Sequence, residues 1–102
     1  ELGVITYNAA ISSCEKGAQW RDALSILSDM RRRCLEPDVI SCNSAISSCE
    51  KGAQTHEALG IFDAMRVRRL KHDVITYSAA ISACEKGFKW HDAATMFLDM
   101  IG

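Results

Sequence analysis

The sequence predicts an all-α fold, an α-solenoid of about three antiparallel helix pairs, on two observations. The first is a 35-residue repeat without gaps: 21 of 35 positions are identical between Val4–Asp38 and Val39–Asp73, and 17 of 29 between the first block and Val74–Gly102. The second is that apolar residues recur three and four positions apart in both halves of each repeat, which is the period of an α-helix. Units of this length stack, and each covers the apolar face of its neighbour.

The repeat also predicts how the chain is organised. We expect residues 1–3 to be the tail of a preceding repeat, residues 4–38 and 39–73 to be complete repeats, and residues 74–102 to be a shortened third repeat. Because about three repeats are the minimum for a stable stack, the chain is expected to be a segment of a longer solenoid.

The first helix of each pair has an apolar stripe that is expected to form the core. In the first repeat this stripe is Tyr7, Ala10, Ile11 and Cys14, at helical positions i, i+3, i+4 and i+7. The same positions in the later repeats hold Cys42, Ala45, Ile46, Cys49, Tyr77, Ala80, Ile81 and Cys84. A glycine in the left-handed conformation is expected to end each first helix. These glycines are Gly17, Gly52 and Gly87.

A second helix follows each glycine and has an apolar stripe of its own. In the first repeat the stripe is Ala23, Ile26, Leu27 and Met30, again at spacings of three and four. The equivalent residues are Ala58, Ile61, Phe62, Met65, Ala93, Met96, Phe97 and Met100. The first unit is expected to end at Pro37-Asp38, because proline cannot continue a helix and aspartate can cap the next one.

Composition excludes several classes of protein. Twelve Lys and Arg against 13 Asp and Glu exclude a strongly basic tail that would bind nucleic acid by bulk charge. No apolar run approaches the roughly 18 residues that a bilayer crossing needs, so membrane insertion is not expected, and no cleavable targeting segment opens the sequence. The balance of 48% hydrophobic and 25% charged residues is typical of a globular domain.

The cysteines and histidines predict neither a metal site nor catalysis. Three of the five cysteines recur at the repeat step, without a CxxC pair or a histidine at ligand spacing, which favours free thiols in a reducing compartment. His56 and His91 occupy equivalent repeat positions, which indicates scaffold residues. We therefore expect a protein that is not an enzyme, with no metal, no cofactor and no small-molecule substrate.

The opposite face of each first helix has a second, ordered stripe. In the first repeat it is Ile5, Asn8, Ser12 and Lys16, which lie on one side of a helix. The equivalent residues are Ile40, Asn43, Ser47, Lys51, Ile75, Ser78, Ser82 and Lys86. Stacking would align these stripes into a ladder of apolar, amide or hydroxyl, hydroxyl and cationic side chains, with a glutamate beside each lysine. The ladder is a candidate binding groove.

The chain resembles the pentatricopeptide repeats of the plain 35-residue type. Val-Ile-Thr-Tyr-Asn at 4–8, Ala23-Leu24, Met30 and Pro37-Asp38 match that family's pattern at its expected offsets. The related tetratricopeptide family has a 34-residue step and a different signature. The resemblance implies a right-handed superhelix that binds single-stranded RNA, usually in mitochondria or chloroplasts, with one base read per repeat.

On that resemblance each rung of the ladder would have a role toward RNA. The residues that would wedge between bases are Ile5, Ile40 and Ile75. Those that would meet base edges are Asn8, Asn43 and Ser78, together with the last residue of each complete unit, Asp38 and Asp73. Those that would approach phosphates are Lys16, Lys51 and Lys86.

The same resemblance implies a base preference. The family's pairing rules read Asn with Asp as uracil and Ser78 as a purine, so the implied string is 5′-U-U-purine. The chemistry agrees, since an amide both donates and accepts, while an ionised carboxylate accepts from the ring N–H of uracil.

Other interpretations of these residues remain open. Asp38 and Asp73 precede helices and could act only as N-caps. Asn8 and Asn43 could be solvated or bonded to the neighbouring repeat, and lysines near helix C-termini are favoured by the helix dipole in any case. For the protein as a whole, the alternative function is that of a non-enzymatic structural subunit that contacts proteins in a large organellar assembly, such as a ribosome or a membrane complex.

The second repeat departs from the pattern at two positions. Cys42 replaces the aromatic residue found at Tyr7 and Tyr77, and His72 stands where Pro37 would recur. These changes predict less regular stacking near the second repeat boundary.

Overall fold

Six α-helices joined by short loops form three consecutive helix pairs. A computed structural model describes residues 3–102, so Glu1 and Leu2 of the expected preceding tail lie outside the described residues. The helices are α1 (Val4–Lys16), α2 (Trp20–Arg32), α3 (Val39–Lys51), α4 (Thr55–Val67), α5 (Val74–Lys86) and α6 (Trp90–Ile101). The described residues contain no strand, which confirms the all-α helical-repeat class. None of the six helices has the length and apolarity that a membrane crossing requires.

The helices form two layers of different character. The first helices α1, α3 and α5 pack side by side in one continuous layer. In the second layer, α2 and α4 each pack against the first helix of their own repeat and that of the next, whereas α6 packs against α5 alone. No two second helices are in direct backbone contact within residues 3–102. The molecule measures 43 × 27 × 18 Å along its principal axes.

The core lies between the two layers and consists largely of the predicted stripes. Ile11, Ile46 and Phe62 are its largest apolar members and are essentially inaccessible to solvent. The stripe of α6 differs, because no residue of that helix is buried. The reason is its packing: α2 and α4 each lie between two first helices, and α6 contacts only one.

The first helices end where the sequence predicts, but the predicted glycine conformation is wrong. Gly17 has φ −90°, and its N–H still donates to the Ser13 carbonyl oxygen at 3.1 Å, as in a helix. The left-handed residue is the next one, Ala18, with φ 55°. The later repeats have the same geometry. Gly52 and Gly87 have φ of −86° and −90°, and the residues that follow them, Ala53 and Phe88, are left-handed.

At Gly52 and Gly87, close packing between repeats, and not backbone freedom, is what requires a glycine. A Cβ on Gly52 would overlap the indole of Trp20, which begins α2. A Cβ on Gly87 would likewise overlap the side chain of Thr55, which begins α4. The starts of α2 and α4 therefore rest on the ends of α3 and α5, the first helices of the next repeats.

The prediction of irregular stacking at the second boundary is wrong. α5 begins 35 residues after α3, and both helices have the same capping arrangement at their N-termini. The His72 ring stacks on Phe62 with centroids 3.8 Å apart, and its Nε2 lies 2.9 Å from the Phe62 carbonyl oxygen. The imidazole thus fills the space at this boundary and keeps a polar contact.

The cysteines are free thiols, as predicted. Cys42, Cys49 and Cys84 are buried, Cys14 is half-buried and Cys34 is exposed. Burial raises the pKa of the Cys49 thiol to about 11. The thiols at the repeat positions therefore stay protonated and serve as small apolar packing groups.

Candidate nucleic-acid interface

The predicted wedge residues stand at the same place on the three packed first helices. Ile5, Ile40 and Ile75 lie in the first turn of α1, α3 and α5, with side chains 86%, 62% and 62% exposed. Large apolar side chains exposed at a regular repeat position offer a row of apolar contacts to a partner.

Two of these isoleucines line an open pocket together with one of the predicted reading residues. Its volume is about 220 Å³, and it is lined by Glu15, Ile40, Asn43, Ser44, Ser47 and Ile75. Every side chain in this lining comes from a first helix. The structure thus brings Ile40, Ile75 and Asn43 into one cleft, whose lining comes from the first helices of all three repeats.

The predicted reading residues form hydrogen-bonded pairs across each repeat boundary. Asn8 Nδ2 donates to Asp38 Oδ1 at 3.2 Å, and Asn43 Nδ2 donates to Asp73 Oδ1 at 3.1 Å. Asn8 is half-buried, and Asn43 is only 8% exposed. The third predicted reader, Ser78, is exposed, and its hydroxyl has no hydrogen-bond partner among residues 3–102.

Both aspartates also cap the helix that follows them. The Ser41 N–H donates to Asp38 Oδ1 at 2.9 Å, and the Thr76 N–H donates to Asp73 Oδ1 at the same distance. In both cases the hydroxyl three residues on accepts from the aspartate N–H, which completes a capping box. Capping and pairing with asparagine are therefore combined in one carboxylate.

Two hydroxyl groups that sequence reasoning missed hold the asparagines in place. The Ser41 hydroxyl donates to Asn8 Oδ1, and the Thr76 hydroxyl donates to Asn43 Oδ1 at 2.5 Å. Ser41 and Thr76 are fully buried. The available signal was the D-x-x-S/T spacing at the start of the second and third repeats, which is a capping pattern and contains no indication of a bond to the previous repeat.

The hydrogen bonds keep both carboxylates ionised. For Asp38, burial opposes ionisation, but the bonds from Ser41 and Asn8 together outweigh it and lower the pKa. For Asp73, the bond from the Thr76 N–H is the main reason that the pKa is lowered, with burial acting against it. An ionised carboxylate at each site can only accept hydrogen bonds.

Each pair keeps some capacity for a further partner. The Asn amide has two N–H donors, and one of them is used by the aspartate. The bonds to Asp73 from Asn43 and from the Thr76 N–H and hydroxyl all end on Oδ1, and Asp38 Oδ2 accepts a long hydrogen bond of 3.4 Å from Asn8. Each pair therefore keeps one amide N–H donor, and a carboxylate oxygen has two lone pairs and can accept a further hydrogen bond from the edge of a base.

Two of the three predicted phosphate-proximal lysines form ion pairs with the preceding repeat. Lys51 Nζ lies 2.9 Å from Glu15 Oε2, and Lys86 Nζ lies 2.7 Å from Glu50 Oε2. Lys16 is exposed and forms no ion pair with the described residues.

The same glutamates also accept hydrogen bonds from the stripe's hydroxyl groups. Ser47 donates to Glu15 at 3.3 Å, and Ser82 donates to Glu50 at 3.0 Å. The adjacency of glutamate and lysine in every repeat was the sequence signal for these contacts. A phosphate that approaches Lys51 or Lys86 must compete with a carboxylate.

No group of three or more His, Cys, Asp or Glu side chains in the described part of the chain could hold a metal ion.

The polar groups of the interface are arranged in rows along the repeats. Such an arrangement can contact an extended partner at several equivalent points.

The fold is that of a helical-repeat protein. Models of the PPR repeat family match residues 2–51 and 37–86, and a PPR repeat model matches residues 75–102. The chain therefore belongs to the PPR repeat family, which in general comprises non-catalytic helical-repeat proteins that bind RNA. A search of curated proteins finds no match to this chain.

Proposed function

We propose that this protein binds single-stranded RNA with one base per repeat, and acts in RNA processing, stability or translation in mitochondria or chloroplasts. The observation that carries the proposal is the cleft in which Ile40 and Ile75 lie together with Asn43. Isoleucine faces flank a base, and the Asn–Asp pair meets its edge. Proteins of this family are commonly organellar, which supports the location.

The hydrogen-bonding capacity of the pairs favours uracil at two positions. The lowered pKa of Asp73 keeps an acceptor in place for the N3–H of uracil, and the spare N–H of Asn43 suits a carbonyl oxygen. Asn8 with Asp38 offers the same groups. Ser78 stands at the third position and favours a purine, so the proposed target is 5′-U-U-purine.

Three repeats give modest affinity. Stacking of a base on an aromatic side chain contributes about 1–3 kcal/mol, and as an upper bound for the isoleucine contacts it gives roughly 3–9 kcal/mol for three bases before ordering costs. The corresponding dissociation constants are about millimolar to micromolar.

The test is fluorescence anisotropy with short oligonucleotides that contain U-U-A, C-C-A or A-A-A at their centre. The wild-type chain is expected to prefer U-U-A. The double variant Asn8→Ala/Asn43→Ala is expected to lose this preference because the amide donor and acceptor are gone. Asn43→Ser is expected to shift preference at one position from uracil to a purine, which mere loss of stability would not do.

A matched control is Ser25→Ala, which truncates an exposed polar side chain of α2. It should leave binding unchanged, and thermal melts should show that all variants are folded. If no oligonucleotide binds the wild-type chain, or if the asparagine variants bind U-U-A as the wild type does, the proposal is wrong. Protein scaffolding would then be the better description of the chain.

A further inference from the structure

The orientation of each interface asparagine decides which groups its side chain offers to a base. The two ends of a side-chain amide have nearly the same shape, but one end donates hydrogen bonds and the other accepts them. Uracil has a carbonyl oxygen, O4, at the position where cytosine has an amino group. An asparagine whose N–H faces this edge therefore favours uracil, and one whose oxygen faces it favours cytosine.

Two contacts fix the orientation of the Asn43 amide. Its Nδ2 donates to Asp73 Oδ1 at 3.1 Å, and its Oδ1 accepts from the Thr76 hydroxyl at 2.5 Å. Asp73 is ionised, because the bond from the Thr76 N–H lowers the pKa of this carboxyl group, and an ionised carboxylate can only accept. A flipped amide would place its oxygen against a carboxylate that offers no proton.

The Thr76 hydroxyl is committed to this arrangement. Its oxygen accepts from the Asp73 N–H at 3.2 Å, and its single proton has two acceptors within reach, Asn43 Oδ1 at 2.5 Å and Asp73 Oδ1 at 2.8 Å. Thr76 is fully buried and Asn43 is 8% exposed, so water competes little for these bonds. The hydroxyl thus anchors the amide oxygen and leaves the second N–H of Nδ2 for the cleft that Asn43 lines.

The same arrangement surrounds Asn8, with a serine in the place of the threonine. Asn8 Nδ2 donates to Asp38 Oδ1 at 3.2 Å, and the Ser41 hydroxyl donates to Asn8 Oδ1. The Asp38 N–H donates to the Ser41 hydroxyl at 3.2 Å, and Ser41 is fully buried. Because a serine does at one repeat boundary what a threonine does at the next, the hydroxyl is the group that both boundaries require.

We propose that Ser41 and Thr76 are positioning residues that determine specificity, each holding the asparagine of the preceding repeat with its free N–H toward O4 of a uracil. Without the hydroxyl, the amide can turn its oxygen toward the amino group of a cytosine. Ser41 acts at the first base through Asn8, and Thr76 acts at the second base through Asn43. This role rests on the proposed function, because it concerns the choice of base in the same interface.

The test is fluorescence anisotropy with oligonucleotides whose central bases are U-U-A, C-U-A, U-C-A or C-C-A. Ratios of their dissociation constants measure the preference for uracil over cytosine at each position. Thr76→Val replaces the hydroxyl with a methyl group of similar size. It is expected to reduce the preference at the second position about fivefold and to leave the first position unchanged. Ser41→Ala is expected to reduce the preference at the first position and to leave the second unchanged.

Conservative variants are the matched controls, because the chain itself uses either hydroxyl. Thr76→Ser and Ser41→Thr keep the group that bonds the asparagine, and both should keep the wild-type preference at both positions. A loss of helix capping or of stability would weaken binding to all four oligonucleotides alike and leave the ratios unchanged. Thermal melts identify a temperature at which every variant is folded.

Hydrogen exchange of the Asn43 side-chain amide, followed by NMR of the ¹⁵N-labelled chain, tests the same contact without RNA. Exchange is expected to be slow in the wild type, because Nδ2 is bonded to Asp73 in a nearly buried site. Thr76→Val should speed exchange about threefold or more, since the amide is no longer anchored at its oxygen, whereas Thr76→Ser should not. Equal exchange in Thr76→Val and the wild type would overturn the proposal.

Two results separate a wrong role for the hydroxyls from a wrong function for the protein. If the wild type prefers uracil, and Thr76→Val and Ser41→Ala keep that preference at both positions, the positioning role is wrong and RNA binding stands. If the wild type binds no oligonucleotide or does not distinguish uracil from cytosine, the RNA function and the positioning role both fail. A preference reduced at both positions by either single variant would also overturn the role, since each hydroxyl bonds one asparagine.

Discussion

One buried hydroxyl has no hydrogen-bond partner among residues 3–102. Ser48 Oγ lies in α3 and is fully buried, and no donor or acceptor in the described part of the chain bonds it. The equivalent Ser13 is exposed and bonds the Ala9 carbonyl oxygen, and the third repeat has Ala83 at this position. The other two repeats therefore avoid an unsatisfied buried hydroxyl. In the first repeat the hydroxyl is exposed, and in the third repeat it is absent.

Ser48→Ala is expected to raise the free energy of unfolding by about 1 kcal/mol. The reason is that an unsatisfied buried polar group costs about 1–3 kcal/mol, and alanine removes it without a large cavity. Urea unfolding monitored by circular dichroism measures the change. Ser41→Ala serves as the opposite control, because its hydroxyl is bonded to Asn8 and its loss should destabilise the chain. A Ser48→Ala variant less stable than the wild type would contradict the expectation.

The sequence predicted the side chains of the interface but not all of their hydrogen-bond partners. The asparagines and aspartates were predicted from a regular position in the repeat, and the structure pairs them. The buried Ser41 and Thr76 were not predicted, because their bond to the previous repeat joins residues 33 positions apart. The left-handed residue at Ala18 was missed because propensity alone assigns that conformation to the adjacent glycine.

The helices of this protein are positioned by caps that also join repeats. Asp38 and Asp73 begin α3 and α5, and each accepts from a helix N–H and from the asparagine of the previous repeat. Removal of either carboxylate therefore affects both the start of a helix and the contact between two units.

Asp73→Ala is expected to lower the free energy of unfolding by about 0.5–2 kcal/mol at neutral pH, the usual cost of losing an N-cap. The folded pKa of Asp73 lies below its ordinary value of 3.8, so the carboxylate stabilises the fold fully above that value. This stabilisation is lost as pH falls through the lowered folded pKa. The difference between wild type and variant should therefore shrink in acid.

Urea unfolding at neutral pH and at a series of pH values below 3.8 measures this difference. Asp63→Ala is the matched control, since Asp63 is exposed on α4 and forms no ion pair with the described residues. A difference between wild type and Asp73→Ala that stays constant into strong acid would show that ionisation of Asp73 does not contribute to stability.

The start of α3 was predicted because capping and proline signals are local. α3 begins directly after Asp38, as Pro37-Asp38 indicates. The regular second boundary was not predicted, because the family pattern contains no information on how a histidine fills the place of proline. His72 does so by stacking on Phe62, a contact that exists only once α4 and α5 are packed.

Across the whole molecule, most of the lysine charges of the ladder are neutralised by glutamates of the protein itself. Lys51 and Lys86 are bound to glutamates of the preceding repeats, and the formal net charge is −1. Phosphate contacts release counterions, and for single strands the slope of log K against log salt is about −0.7 per phosphate. RNA binding that relies on stacking and base edges should therefore depend weakly on salt.

We expect a slope near −0.7 for the wild type, corresponding to about one phosphate contact at Lys16. The double variant Glu15→Gln/Glu50→Gln releases the other two lysines and should bind RNA more tightly, with a slope near −2. Anisotropy titrations from low to high potassium chloride measure both slopes. Equal slopes for the two proteins would show that the ion pairs do not restrain the lysines.

The open packing of the second helices has a mechanical consequence. The first helices touch one another in an unbroken row, whereas α2 and α4 are separated by a groove lined in part by Leu24, Ser28 and Gly60. Bending of the solenoid therefore opens or narrows the groove between α2 and α4, and the row of first helices is the axis of the bending. Because Ile5, Ile40 and Ile75 lie on these first helices, the distances between them change least when the molecule bends.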